Sequence, residues 1–147
     1  MSDVKIGIKK IKEAAILPSY QTAQAAGMDL HACIDSPVIL KSMERCIIPT
    51  GLTVELPIGY EMQIRARSSL SIKNGITMVN GVGTIDSDYR GEIGILLINL
   101  SNDSFTVEPN MRIAQMIVAK HEHVVWQELN ELNETKRGDG GFGSTGI

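Results

Sequence analysis

Short runs with an apolar residue at every second position do most to limit what this chain can become: Val4, Ile6, Ile8; Leu52, Val54, Leu56; Met62, Ile64, Ala66; Ile93, Ile95, Leu97; and, around one glutamine, Ile113, Gln115, Ile117. Side chains of an extended strand alternate between its faces, so each run predicts a strand with one face buried. Turn signals follow closely, at Asp35-Ser36-Pro37, Pro49-Thr50-Gly51, Pro57-Ile58-Gly59 and Ser101-Asn102-Asp103, and leave little room for helices. An all-β domain follows, a sandwich, jelly roll or small barrel. One short helix is expected near Ser69, and Trp126 to Leu132 fits either a strand or a helix. Ile95-Leu96-Leu97-Ile98 is apolar on both faces, which predicts either a deep sandwich core or a subunit contact.

A chain of 147 residues points to one domain with a core of its own. Cys33 and Cys46 have neither C-x-x-C spacing nor further ligands nearby, so free thiols fit better than a disulfide scaffold or a zinc site. The first residues alternate charged and apolar types, so neither a signal peptide nor a membrane span is expected, and no membrane partner. The expectation is a soluble intracellular protein, cytoplasmic, or nuclear in a eukaryote. A net charge of −3 argues against a nucleic-acid polymer as partner, since such binding draws on an extended basic face. Yet five of the six arginines, Arg65, Arg67, Arg90, Arg112 and Arg137, fall in or beside the segments discussed next. Positive charge focused in this way suits a compact polyanion.

Asn80 to Ile93 reads N-G-V-G-T-I-D-S-D-Y-R-G-E-I. Gly81 and Gly83 flank Val82, a spacing that permits a tight hairpin whose free N–H and C=O groups can face a ligand edge. Uracil presents one N–H between two carbonyls, and a backbone offering donor, acceptor, donor accepts it while refusing the amino group of cytosine. Asp86 then stands ready to orient a water, and Tyr89 to press its ring against a sugar. The alternative for the same residues is an Asp-Ser-Asp turn with a packed tyrosine. Arg65-Ala66-Arg67-Ser68-Ser69 sets two arginines on one strand face ahead of two hydroxyls, a reasonable phosphate cradle, with Ser69 also able to cap a helix. Asp29, in Ala26-Gly27-Met28-Asp29-Leu30, is either a turn residue or an acid near a metal; one carboxylate makes a magnesium site only if substrate phosphates complete the shell. The last segment, R-G-D-G-G-F-G-S-T-G from Arg137 to Gly146, joins a guanidinium, a flat ring and two hydroxyls on a glycine backbone. It suits an aromatic base carrying phosphates, or else is a plain glycine-serine tail.

Together A-G-M-D-L, R-S-S-L, N-G-V-G-T-I-D-S-D-Y-R-G, R-I-A-Q-M-I and R-G-D-G-G-F-G-S-T-G, in this order over residues 26 to 146, resemble the dUTPase family of the trimeric all-β type. The resemblance implies a distorted jelly-roll (β-clip) subunit over residues 1–136, a flexible arm over 137–147 that closes the active site, and a homotrimer with sites at its subunit interfaces. In many members another subunit donates the arm. It further implies Mg2+-assisted hydrolysis of dUTP to dUMP and pyrophosphate, which keeps uracil out of DNA and supplies dUMP for thymidylate synthesis. By position, Asp86 would bind the 3′-hydroxyl and activate the attacking water, and Tyr89 would stack under deoxyribose and exclude a 2′-hydroxyl. Asn80, Gly83, Thr84 and Ile85 would form the uracil hairpin, and Arg67, Ser68 and Ser69 the phosphate motif. Gln115 would help to hold phosphate and catalytic water, and Asp29 would lie near magnesium, reached through water. Arg137 would contact the terminal phosphate, Phe142 would cover the uracil, and Gly143, Ser144 and Thr145 would close on the triphosphate.

Two positions depart from the family pattern: Ser69 stands where glycine is usual, and Asn110 replaces the glycine of the Pro-Gly-x-Arg approach to the fourth motif. The sibling dCTP deaminases share Arg-Ser-Ser-Leu but continue with Pro-Gly-Trp and, further on, a catalytic glutamate. Here Ser87-Asp88-Tyr89 and Leu96 occupy those places.

Overall fold

The computed structural model describes residues 3–143. Among these, twelve strands and one helix follow in the order β1 (Gly7–Lys10), β2 (Ser19–Tyr20), β3 (Met28–His31), β4 (Val38–Leu40), β5 (Arg45–Pro49), β6 (Leu52–Glu55), β7 (Tyr60–Ala66), α1 (Ser68–Asn74), β8 (Ile76–Met78), β9 (Gly83–Ile85), β10 (Gly94–Asn99), β11 (Phe105–Val107) and β12 (Arg112–Lys120). They pair as a five-stranded sheet in the order β2-β3-β12-β7-β9, a three-stranded sheet β5-β10-β8, and the pairs β1-β6 and β4-β11. Every pairing is antiparallel. This is the all-β domain that the alternating runs predict, in the jelly-roll-like form that the resemblance implies.

Three of the five runs deliver the core; in the first, Val4 and Ile8 are exposed and Ile6 is only half-buried, because β1 is an outlying strand paired with β6 alone. Leu52, Val54 and Leu56 are buried, as are Met62 and Ile64 from β7 and Ile93, Ile95 and Leu97 at β10. Complete burial of a Val, Leu, Ile or Met side chain stabilises by about 1.5–3 kcal/mol, so this set dominates the folding energy. The one buried asparagine is fully satisfied: Asn99 Nδ2 donates to the carbonyls of Leu40 (2.9 Å) and Asp103 (2.8 Å), and its Oδ1 accepts from Ser101 N and Oγ. A single amide thus ties β10 to the ends of β4 and of the following loop. Cys33 and Cys46 are free thiols, and burial with Glu44 nearby pushes the Cys46 thiol up from its usual pKa.

Three further expectations change. Ile113, Gln115 and Ile117 do not share a buried face, because the register of β12 against β3 shifts between Arg112 and Ala114. A bulge adds one residue to one strand and turns the following side chains over, so Ala114 and Met116 enter the core while Gln115 moves to the outer face. Ser69 is not a cap: Arg67 holds the N-cap position in an extended conformation without a side-chain bond, Ser68 and Ser69 form the first turn of α1, and the helix ends at Gly75. Trp126 to Leu132 is neither strand nor helix. After the His121 N–H donates to the Gly59 carbonyl (3.1 Å), the backbone hydrogen bonds among the described residues are local ones.

The second face of β10 is not closed within this chain. Leu96 and Ile98 are half-buried, and beside them Ile47 of β5 and Val79 after β8 are exposed. Asn110 has a left-handed backbone, φ 63°, a conformation asparagine adopts more readily than other residues with a side chain. The departure from glycine there keeps the turn.

Candidate active site

Two groups of polar side chains are built on opposite sides of β7. The first is a cavity of about 400 Å³ at the turn between β8 and β9, lined by Asn80, Gly83, Thr84, Ile85, Asp86 and Tyr89 together with Ile64, Met78, Glu92, Gly94, Ile47 and Leu96; the expected hairpin does not form, because β8 pairs with β10 and β9 with β7, so the turn joins two sheets. Gly81 makes the turn, with φ 69° and its N–H donating to the Met78 carbonyl (3.1 Å). The predicted base pocket and the predicted acid therefore line one hollow. Tyr89 is folded back from the next turn, its N–H bonded to the Asp86 carbonyl (3.2 Å) and its hydroxyl donating to the Glu92 carbonyl (3.0 Å). Arg90 clamps this turn, donating to the carbonyls of Ser87 (2.7 Å) and Tyr89 (3.0 Å).

The second group lies where β3, β12 and the end of β7 meet. Asp29 is buried, with Oδ1 at 3.2 Å from Arg67 Nε and Oδ2 at 3.1 Å from Arg112 Nη1. Gln115, the cross-strand neighbour of Asp29, donates from Nε2 to the Ala66 carbonyl (3.1 Å), and Arg67 Nη1 donates to the Arg112 carbonyl (3.2 Å). Ser68 and Ser69 are exposed just beyond, at the start of α1, where the first amide N–H groups of a helix have no intrahelical partner. Arg65 stays apart, its guanidinium donating to Gln63 Oε1 (2.5 Å). The two arginines of R-A-R thus separate: one lies along the strand, and only Arg67 enters the cradle.

Sequence reasoning missed Arg112 and His31 as parts of this cradle. Their signal lies in pairing, since His31 and Arg112 are register partners across β3 and β12. His31 Nδ1 is buried without a hydrogen-bond partner. Burial lowers the His31 pKa from its ordinary 6.5, Asp29 acts in the opposite sense, and Arg112 and Arg67 add to the lowering. Protonation is therefore resisted in the folded state, and stability present above pH 6.5 is lost as the pH falls through 6.5 towards the folded-state value. His31→Gln should flatten that part of the acid limb. Melting temperatures of the two proteins between pH 7.5 and 5 check this: parallel curves would exclude His31 as a source.

Asp29 satisfies both oxygens with guanidinium groups, and among the described residues no group of three or more His, Cys, Asp or Glu side chains could hold a metal. The described donor set therefore offers no cage for a protein-bound metal, and the pairing of Asp29 with two guanidinium groups gives its expected place beside magnesium no support.

The tail is exposed. Arg137 Nε donates to the Gly140 carbonyl (2.8 Å), closing a small turn, and Phe142 is fully exposed. Gly143 lies at the end of the described residues, and Ser144 and Thr145 lie outside them. A larger apolar groove of about 660 Å³ near the N-terminal strand, lined by residues such as Val4, Ile8, Leu17, Met28 and Val118, contains none of the expected site residues.

Within one chain the acid end of the cavity lies away from the cradle. β9 pairs with β7 so that Ile85 faces Met62, and Arg67 lies five residues further along. At roughly 3.3 Å per residue that is about 16 Å of strand. Moreover Arg67 reaches across to β12 and β3, on the side of β7 away from β9.

A jelly-roll-like frame with a cavity at the turn between β8 and β9, and an arginine cradle on the other side of β7, sets the class as a small all-β domain. The dUTPase family model matches residues 13–146, and the chain belongs to the dUTPase family. It is 55% identical over 138 residues to the deoxyuridine 5′-triphosphate nucleotidohydrolase of Treponema denticola, covering 94% of this chain and 96% of that protein. It is 51% identical over 148 residues to the enzyme of the same name from Rickettsia felis, covering all of both. The fold matches that of the Staphylococcus bacteriophage 80alpha dUTPase solved with dUpNHpp, with a TM-score of 0.88 at 23% identity over 97% of this chain and 99% of that one. A second match is a phage phi11 dUTPase whose structure describes coordination of a structural Mg(II) ion (TM-score 0.80, 19% identity, 88% and 99% covered).

Proposed function

We propose that this chain hydrolyses dUTP to dUMP and pyrophosphate by in-line attack of water on the α-phosphorus. The observation that carries this is the joint lining of one cavity by Asn80, Gly83, Thr84, Ile85, Asp86 and Tyr89, within a chain of the dUTPase family. The backbone of the turn between β8 and β9 takes the uracil edge, Tyr89 lies against the deoxyribose, and the Asp86 side chain orients the water and accepts its proton. Arg67, Ser68, Ser69 and Gln115 receive phosphate oxygens; Arg67 and Arg112 exceed the charge of Asp29, so the cradle keeps a positive excess for a polyanion. When bound with the triphosphate, Mg2+ offsets charge on the phosphate oxygens. Catalysis then rests on placement and preorganised charge.

Asp86 and the phosphate cradle must lie within a few ångströms of the same α-phosphate, yet about 16 Å of strand separates them in one chain. This supports an assembly, here proposed as the homotrimer, in which the turn between β8 and β9 of one subunit faces the cradle of another. The open apolar face of Ile47, Val79 and Leu96 supports the same assembly. Residues 137–147 act as an arm closing each site, with Arg137 on the terminal phosphate, Phe142 over the uracil, and Gly143, Ser144 and Thr145 on the triphosphate. The extended reach of the segment before it, roughly 3.3–3.6 Å per residue, serves a site in the same or another subunit. Deamination is disfavoured because Leu96, where the sibling family keeps its glutamate, is an apolar part of the cavity rim.

Pyrophosphate release with Mg2+ from dUTP, UTP, dCTP and dTTP tests the proposal. Release from dUTP and little from the others is expected, with no ammonia from dCTP. Intact dUTP would refute it.

A further inference from the structure

Tyr89 lies directly over Gly91. A methyl group on Gly91 would stand 2.5 Å from Cζ of the ring and 2.9 Å from Cε2, with the hydroxyl oxygen nearer still, far inside the 3.5–4.0 Å at which carbon atoms ordinarily meet. Gly91 is not among the glycines with a left-handed backbone, so what position 91 supplies is the absence of a side chain. The ring crosses this bare stretch and is pinned beyond it by the bond from its hydroxyl to the Glu92 carbonyl. Its other face is open, the residue being 43% exposed.

Gly27 offers a contrast. A methyl group there would meet Gln115 Oε1 at 2.7 Å, but that is the end of a side chain with several torsions, which can turn aside. The Tyr89 ring is rigid and must swing as a whole, giving up the Glu92 bond. Because the ring is exposed, the cost falls on its position and not on the core.

We propose that Gly91 is a positioning residue for nucleotide selectivity: it is the side-chain-free seat that sets how far the Tyr89 ring stands into the cavity, and hence whether a 2′-hydroxyl is refused. This rests on the assignment of Tyr89 to the sugar made above. Ring and seat form one device, in which the ring makes the contact and the glycine fixes its height.

The test compares kcat/KM for dUTP and for UTP in the full-length enzyme, Gly91→Ala, Tyr89→Ala and the double variant, with thermal unfolding as a check that each folds. Since one small group refused or admitted by a pocket changes selectivity by about 10–200-fold, Gly91→Ala should lower the dUTP preference at least about tenfold. Tyr89→Ala should lower it comparably, and adding Gly91→Ala to Tyr89→Ala should change nothing further. A normal preference in Gly91→Ala beside a lowered one in Tyr89→Ala overturns the role of Gly91 and leaves that of Tyr89 standing. A normal preference in Tyr89→Ala removes the sugar assignment, and the role of Gly91 with it. An effect of Gly91→Ala that persists undiminished without the ring shows that the glycine acts through something else, and also overturns the proposal.

Discussion

Asp86→Asn should bind a non-hydrolysable dUTP analogue and turn dUTP over at least about 100-fold more slowly, the low end of what a positioned general base contributes. The amide has the shape of the carboxylate and still accepts a hydrogen bond, so the cavity and the sugar contacts persist. What it cannot do is take the proton of the attacking water. Single-turnover kinetics beside a titration of the analogue separates the two, and wild-type turnover in the variant would remove the acid from the mechanism. The same variant reports on assembly. Arg67→Ala empties the cradle of one guanidinium while Asp29 keeps Arg112. Arg67→Ala should also hydrolyse dUTP slowly, and if a site joins the turn between β8 and β9 of one subunit to the cradle of another, mixing and reassembling the two impaired variants yields some sites with both residues intact and activity above that of either parent. A mixture no more active than its parents would point to sites complete within one chain.

The frame of the molecule is legible in the sequence because a strand's period is short and its consequence local: Leu52, Val54 and Leu56 announce their buried face without reference to any partner. The turn after β8 is legible for the same reason, since Gly81 fixes it within a few residues and Asn80, Asp86 and Tyr89 line one hollow, although its flanking strands pair with β10 and β7 and not with each other. What escapes is set by pairing. The bulge in β12 depends on how β3 lies beside it, so Gln115 looks like a core position until the register shift turns it out beside Asp29. The Asp29–Arg112 bond spans 83 positions, and nothing near either residue marks it. His31 is hidden in the same way, as an ordinary strand residue whose meaning comes from Arg112 across the sheet. Conversely, the two arginines of R-A-R look alike in sequence, yet the strand ends between them: Arg65 runs back along β7 to Gln63, and Arg67 turns to Asp29.

Deletion of residues 137–147 should leave the melting temperature unchanged and cost at least about 100-fold in dUTP hydrolysis, since loss of even one donor aimed at developing charge costs about 10²–10³. The two halves of this prediction have separate grounds. Stability is spared because Gly138 N–H and Gly140 N–H bond only to Thr135 and Arg137, and Phe142 touches no core residue enough to be covered. Activity is lost because Arg137 and the hydroxyls that follow it would reach the triphosphate only when the arm folds down, where they also exclude water. Phe142→Ala, which removes the ring alone, should raise KM for dUTP more than it lowers kcat if the ring only covers the bound base. Full activity after truncation would refute the closing role. A drop in melting temperature would mean instead that the arm belongs to the folded body, and the activity loss would then carry no information about closure.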